Sequence, residues 1–89
     1  MKNHKTITLY GRVQGVGFRY YTKLKADLLG IRGFVKNQPD GSVYIEAEAD
    51  GDAMNEFLAL CRKGPPLARV INMEVSDSAP SGYENFRIR

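Results

Sequence analysis

The chain is expected to fold as an α+β sandwich of the split βαβ, ferredoxin-like kind, an antiparallel sheet with two helices on one face. Three observations predict it. Period-two and period-3.6 hydrophobic stretches follow one another as strand, helix, strand, strand, helix, strand; glycine- and proline-bearing turns separate them; and a short apolar pair near the end adds a last strand. With 89 residues, the chain is expected to be a single domain, residues 1–89.

The elements follow in order. Ile7, Leu9 and Val13 alternate with Thr6, Thr8, Tyr10 and Arg12, the pattern of a half-buried strand interrupted at Gly11. A loop holding Gly15 and Gly17 leads to Phe18, Tyr21, Leu24 and Leu28, which share one face of a helix that Gly30 ends. Ile31 to Lys36 reads as a second strand, and Ser42 to Ala49 as a third with Val43, Ile45, Ala47 and Ala49 inward. Asn37-Gln38-Pro39-Asp40-Gly41 turns one into the other. Asp52 is placed to cap a second helix whose apolar stripe is Met54, Phe57, Leu58 and Cys61, and Gly64-Pro65-Pro66 stops it. Ala68 to Val75 is a fourth strand in which Val70 breaks parity with Ile71, Met73 and Val75, a sign of a bulge. Phe86 and Ile88 mark the closing strand. The uncovered sheet face would carry Thr6, Thr8, Tyr10, Arg12, Tyr44, Glu46 and Glu48, polar enough to meet water.

Composition removes several classes of function. Cys61 is the one cysteine, so neither an internal disulfide nor a paired-cysteine zinc, redox or metal-carrier site can form. The opening Met-Lys-Asn-His-Lys-Thr lacks the apolar core of a signal peptide, and no apolar run approaches the ~20 residues of a membrane span. A cytoplasmic protein with no membrane association is the expectation. Charge is uneven: residues 1–36 carry eight Lys or Arg against Asp27 alone, whereas residues 37–61 carry six acids and no base. That favours an anionic partner for the first third, although a solvated surface with chance clustering fits charge alone equally well.

The segment Gly11-Arg12-Val13-Gln14-Gly15-Val16-Gly17-Phe18-Arg19 runs from a strand into a helix. Free N–H groups at a helix start, with the positive end of the dipole, make a cradle for phosphate. The Gly-Lys-Ser/Thr of a nucleotide-binding loop and the dinucleotide glycine spacing are both missing, and glycines alone are read as well by a tight turn. Arg19 shifts the balance towards an anion, because a cation in a helix's first turn opposes the dipole unless an anion lies between them. Asn37 opens the hairpin and on pattern alone is a turn former; its amide could also orient a water without deprotonating it. His4, the only histidine, falls in an expected frayed terminus, and Cys61 belongs to the core stripe. No nucleophile–base pair, carboxylate pair or metal-ligand set can be assembled from what remains.

Val13-Gln14-Gly15-Val16-Gly17-Phe18-Arg19, followed eighteen positions after Arg19 by Asn37 within Gly33-Phe34-Val35-Lys36-Asn37-Gln38-Pro39-Asp40-Gly41-Ser42-Val43, resembles the paired signature of the acylphosphatases. The resemblance spans the chain, taking in Phe57, Gly64-Pro65-Pro66-Leu67-Ala68 and Phe86-Arg87-Ile88-Arg89. Two positions depart from the family pattern: Ala49 stands where glycine is usual after the third strand, which could alter that strand end, and Phe34 where tryptophan is common.

The resemblance implies a hydrolase that splits an acyl phosphate into a carboxylate and inorganic phosphate. It implies that the backbone N–H groups of Gln14, Gly15, Val16, Gly17, Phe18 and Arg19, with the Arg19 side chain, hold the phosphoryl oxygens, and that Asn37 holds the attacking water. No cofactor and no metal are expected. Nor is a general acid, since the leaving carboxylate has a conjugate acid of pKa about 4. Inorganic phosphate or sulfate should compete as anions, and a monomer is expected. A small RNA-binding module is the principal rival, because Arg32-Gly33-Phe34 begins like an aromatic ribonucleoprotein motif and Tyr10 and Tyr44 could lie on the open face. Val35-Lys36-Asn37 then fails that motif, so no nucleic-acid partner is expected.

Overall fold

The computed structural model describes residues 2–89; Met1, where the expected domain begins, lies outside the described residues. The elements are β1 (Lys2–Arg12), α1 (Phe18–Leu29), β2 (Arg32–Asn37), β3 (Val43–Asp50), α2 (Gly51–Lys63), β4 (Arg69–Ser78) and β5 (Phe86–Ile88), in the order the hydrophobic pattern predicts. Strands line up as β4-β1-β3-β2-β5. The first four pair antiparallel, but β5 pairs parallel with β2, Val35 opposite Ile88, so the sheet is mixed and not purely antiparallel as expected. The reason is topological: β4 ends level with the start of β2, Ser78 and Arg32 lying in one row with His4 and Glu48, and the chain crosses to the far edge at that end, so β5 sets out in the same direction as β2.

The inner face is the apolar register of the strands. Ile7 lies opposite Ile45 and Leu9 opposite Val43, with Val35 beside Ile45 on the other side. All five are fully buried in one cluster with Phe18 of α1 and Met54, Phe57 and Cys61 of α2. The inward set expected for the third strand is thus observed. Burial pushes the Cys61 thiol well up, in keeping with an inert core residue.

Four local expectations are corrected. The buried stripe of α1 is Phe18, Thr22 and Ala26, not Phe18, Tyr21, Leu24 and Leu28: Leu24 is 54% and Leu28 77% exposed. Small Thr22 and Ala26 let the helix approach the sheet closely, and the Thr22 hydroxyl is satisfied by Phe18 O at 2.8 Å. Asp50, not Asp52, occupies the N-cap of α2, and Asp52 lies in the first turn, where its charge suits the dipole. His4 is not frayed, because β1 begins at Lys2 and the His4 ring is buried. Finally, the outer sheet face is wet only in part, since Glu48 is 1% exposed.

The cover over Glu48 is the segment joining β4 to β5. Ser81, Gly82 and Tyr83 donate backbone N–H groups to its carboxylate, and His4 Nδ1 lies 2.7 Å from Oε2. The other His4 nitrogen lies 3.1 Å from Glu46 Oε1, which also accepts from the Tyr83 hydroxyl at 2.8 Å. Burial alone would raise the Glu48 pKa; the hydrogen bonds from His4, Ser81, Tyr83 and Gly82 outweigh it and hold the carboxyl down at about 2.

The expected bulge is present. Tyr10 pairs with Asn72 but Gly11 with Val70, leaving Ile71 as the extra residue on β4. Ala49 does not end its strand early, since β3 runs on to Asp50. Phe34 is buried on the outer face, with Tyr44 and Tyr83 beside its ring and the Arg89 guanidinium 4.1 Å from its centroid.

Candidate active site

The loop between β1 and α1 is shaped by two glycines in the left-handed region, Gly15 at φ 74° and Gly17 at φ 78°. A side chain at either would be strained by that backbone. Gly17 is the N-cap of α1 and contributes no capping side chain. The N–H of Tyr21 donates to Gly17 O at 3.0 Å, so the N–H groups ahead of it are those a helix start leaves without an acceptor. No acidic residue stands in the first turn to take them up. Arg19, second residue of α1, is exposed in the midst of these donors.

The second half of the site comes from the β2–β3 hairpin. Asn37 ends β2 in extended backbone, paired with Val43. The turn beyond it is closed by other groups: Gln38 N–H to Ser42 O at 2.9 Å, Gly41 N–H to Gln38 O at 3.1 Å, and Asp40 Oδ1 accepting from both the Ser42 N–H and hydroxyl. These hydrogen bonds hold the Asp40 carboxyl below its ordinary range. The Asn37 amide is therefore not what makes the turn.

Gln14 joins the two halves. Its Nε2 donates to Gln38 O at 2.8 Å and to Ser42 O at 2.9 Å, pinning the glycine loop to the hairpin that carries Asn37. Because β1 and β2 are not neighbours in the sheet, this side chain gives the loop and the hairpin a direct tie. The result is a cleft of about 260 Å³. Gly15, Gly17, Phe18, Arg19 and Asn37, all named by the motif, line it. Gln14 and Val16, also named from the resemblance, are not among the lining residues: Gln14 serves as the brace, and Val16 packs against the core. Sequence reasoning gave no role to three lining residues: Val13, which opens the motif, Tyr20 and Ile88. Tyr20 follows Arg19 directly and could have been included; Ile88 reaches the cleft only through the pairing of β5 with β2, which no local pattern announces.

One arginine is the only charged residue among those lining the cleft, and it stands with unpaired helix N–H groups beside a carboxamide. Such an arrangement is chemically suited to an anion such as a phosphoryl group and offers no side-chain base. A family model described as acylphosphatase matches residues 5–88. The chain belongs to the acylphosphatase family. An acylphosphatase of Thermotoga maritima is 51% identical over 83 residues, covering 93% of this chain and 92% of that one. Another, from a Nocardioides species, is 43% identical over 89 residues, covering 100% and 90%. The crystal structure of acylphosphatase from Bacillus subtilis superposes with a TM-score of 0.96 at 38% identity, covering 100% of this acylphosphatase and 99% of that chain. The ferredoxin-like fold and the family read from the signature residues thus stand.

Proposed function

We propose that this acylphosphatase hydrolyses acyl phosphates by in-line attack of a water on a phosphoryl group held at the start of α1. The backbone N–H groups of Gln14 to Arg19 and the guanidinium of Arg19 take the phosphoryl oxygens, and the Asn37 carboxamide orients the water. The observation that carries the reading is the convergence of Arg19 and Asn37, distant in sequence, on one cleft with the glycine loop between them.

The chemistry matches this spare inventory. The P–O bond to the acyl group breaks as the water oxygen forms its bond to phosphorus, and the departing carboxylate is stable at neutral pH without a proton. A phosphoryl oxygen of the substrate takes the water proton, since no protein base lines the cleft. Positioning and charge stabilisation then suffice for phosphoryl transfer, and amide donors with one guanidinium supply both. Arg19 contributes a planar fork matched to two oxygens. The Gln14 brace supports the geometry by keeping the water-orienting hairpin at a fixed distance from the cradle.

The test is an assay with acetyl phosphate on the purified protein, following release of inorganic phosphate, with phosphate and sulfate added as inhibitors. Turnover with competitive inhibition by both anions is expected. Absence of turnover, or inhibition that is not competitive, overturns the reading.

A further inference from the structure

Two apolar side chains stand in the cleft with nothing in the fold to occupy them. Val13 and Phe18 also line it, but they are 1% and 2% exposed and their surfaces belong to the core. Tyr20 is 69% exposed and Ile88 41% exposed. A lone exposed apolar residue needs no explanation. Here two, far apart in the sequence, meet at the cleft that also holds Arg19 and Asn37.

Their supports are rigid. Tyr20 lies in the first turn of α1, next to Arg19. Ile88 sits on β5, which is fixed to β2 by pairing and by the Arg89 N–H to Val35 O bond at 2.8 Å, while Phe86 at its start packs on Phe57 in the core. Three residues of edge strand thus deliver an apolar side chain to the cleft wall. The polar groups of the cleft are matched to a phosphoryl group, which leaves the acyl part of the substrate to meet Tyr20 and Ile88. Arg19, taken up by the phosphoryl group, is the only charged residue lining the cleft, so a second carboxylate on the acyl part would find no charged partner there.

We infer that Tyr20 and Ile88 form an acyl-recognition rim that selects acyl phosphates with an uncharged apolar chain over acetyl phosphate and over acyl groups bearing a distal carboxylate. The inference rests on the proposed acyl phosphate hydrolysis and adds the class of acyl group. Packing of a non-reacting chain on the rim raises kcat/KM by up to about fourfold per methylene buried.

The experiment is a homologous series, acetyl, propionyl and butyryl phosphate, whose leaving carboxylates have nearly equal basicity, so that reactivity is constant and packing varies. Succinyl phosphate, similar in length to butyryl phosphate but ending in a carboxylate, is the charged member. In the parent protein kcat/KM should rise along the series and fall at least ~10-fold from butyryl to succinyl phosphate. In Tyr20→Ala, a change at an exposed position, and in Ile88→Thr, which keeps a β-branched residue on the strand, the rise should shrink to less than half. The inhibition constant of inorganic phosphate, which has no acyl part, should move less than twofold in both. A flat series in the parent, or a slope unchanged in both variants, overturns the rim while leaving hydrolysis standing. No turnover of any member overturns the hydrolysis itself and the rim with it.

Discussion

The carboxylate of Glu48 lies 2.7 Å from the imidazole Nδ1 of His4 and beneath the backbone N–H groups of Ser81, Gly82 and Tyr83, so one buried acid holds a β1 side chain and the crossover to β5 together. Removing it would strand those donors. A buried donor without an acceptor costs about 1–3 kcal/mol, so Glu48→Ala should lower stability by several kcal/mol, more than any surface acid of this chain.

The same carboxylate is expected to set the acid limit of the fold. Its pKa is about 2 in the native state against an ordinary 4.5, so the native state binds its proton less readily than the unfolded chain does. The resulting stabilisation is fully present above pH ~4.5 and is lost as pH falls towards ~2. Glu46 is shifted in the same direction: hydrogen bonds from Tyr44, Tyr83 and His4 outweigh the effect of its burial. Urea denaturation at a series of pH values should show stability falling through that window. The fall should be shallower in Glu48→Gln, whose starting stability is lower; an identical slope in the two proteins would mean Glu48 does not govern the acid transition.

Turnover should not depend on a metal. Among the described residues no three His, Cys, Asp or Glu side chains gather where they could hold an ion, and the proposed mechanism places positive charge with Arg19 and backbone dipoles instead. Acetyl phosphate hydrolysis is expected to continue at its full rate after exhaustive chelation. Loss of activity that a divalent ion restores would refute the assignment.

For Arg19, the discriminating change is the conservative one. Lysine keeps the charge but loses the fork, so Arg19→Lys should lower kcat/KM by ~10²-fold or more while circular dichroism and melting temperature stay near those of the parent. Arg19→Ala should also weaken competitive inhibition by phosphate. An unchanged phosphate inhibition constant would take the side chain out of the cradle.

Order of elements, inner-face register and the bulge were legible because each depends on local periodicity. The stripe of α1 was not, since Phe18 begins two runs at helical spacing. Leu24 and Leu28 outweigh Thr22 and Ala26 on any hydrophobic scale, yet a helix lying close on a sheet is better served by small residues. Burial of Glu48 and His4 was hidden for another reason. Strand parity places both on the outer face, and nothing in Ala79-Pro80-Ser81-Gly82-Tyr83 announces that this segment will cross that face. Arg19 drew attention by its charge in a helix's first turn, and Asn37 only through the family resemblance; Tyr20 and Ile88 carry no such signal, and their meeting at the same cleft becomes visible only in the folded chain.

Asn37 offers the sharpest separation of roles. The hairpin closes through Gln38, Gly41, Ser42 and Asp40, and is braced by Gln14, so removing the Asn37 amide deletes none of the bonds that hold the turn. A group that orients only the attacking water gains its interaction mainly in the transition state. Asn37→Ala should therefore lower kcat on the order of 10²–10³-fold, with KM for acetyl phosphate and the phosphate inhibition constant nearly unchanged. Melting temperature should stay within a few degrees of the parent. A turn-forming role makes the opposite forecast, a destabilised hairpin with near-parental kcat in the folded fraction. Thermal unfolding and single-turnover kinetics measured on one preparation decide between them: a stable protein that binds phosphate and barely turns over assigns the amide to the water, whereas an unstable one that turns over normally returns Asn37 to the hairpin.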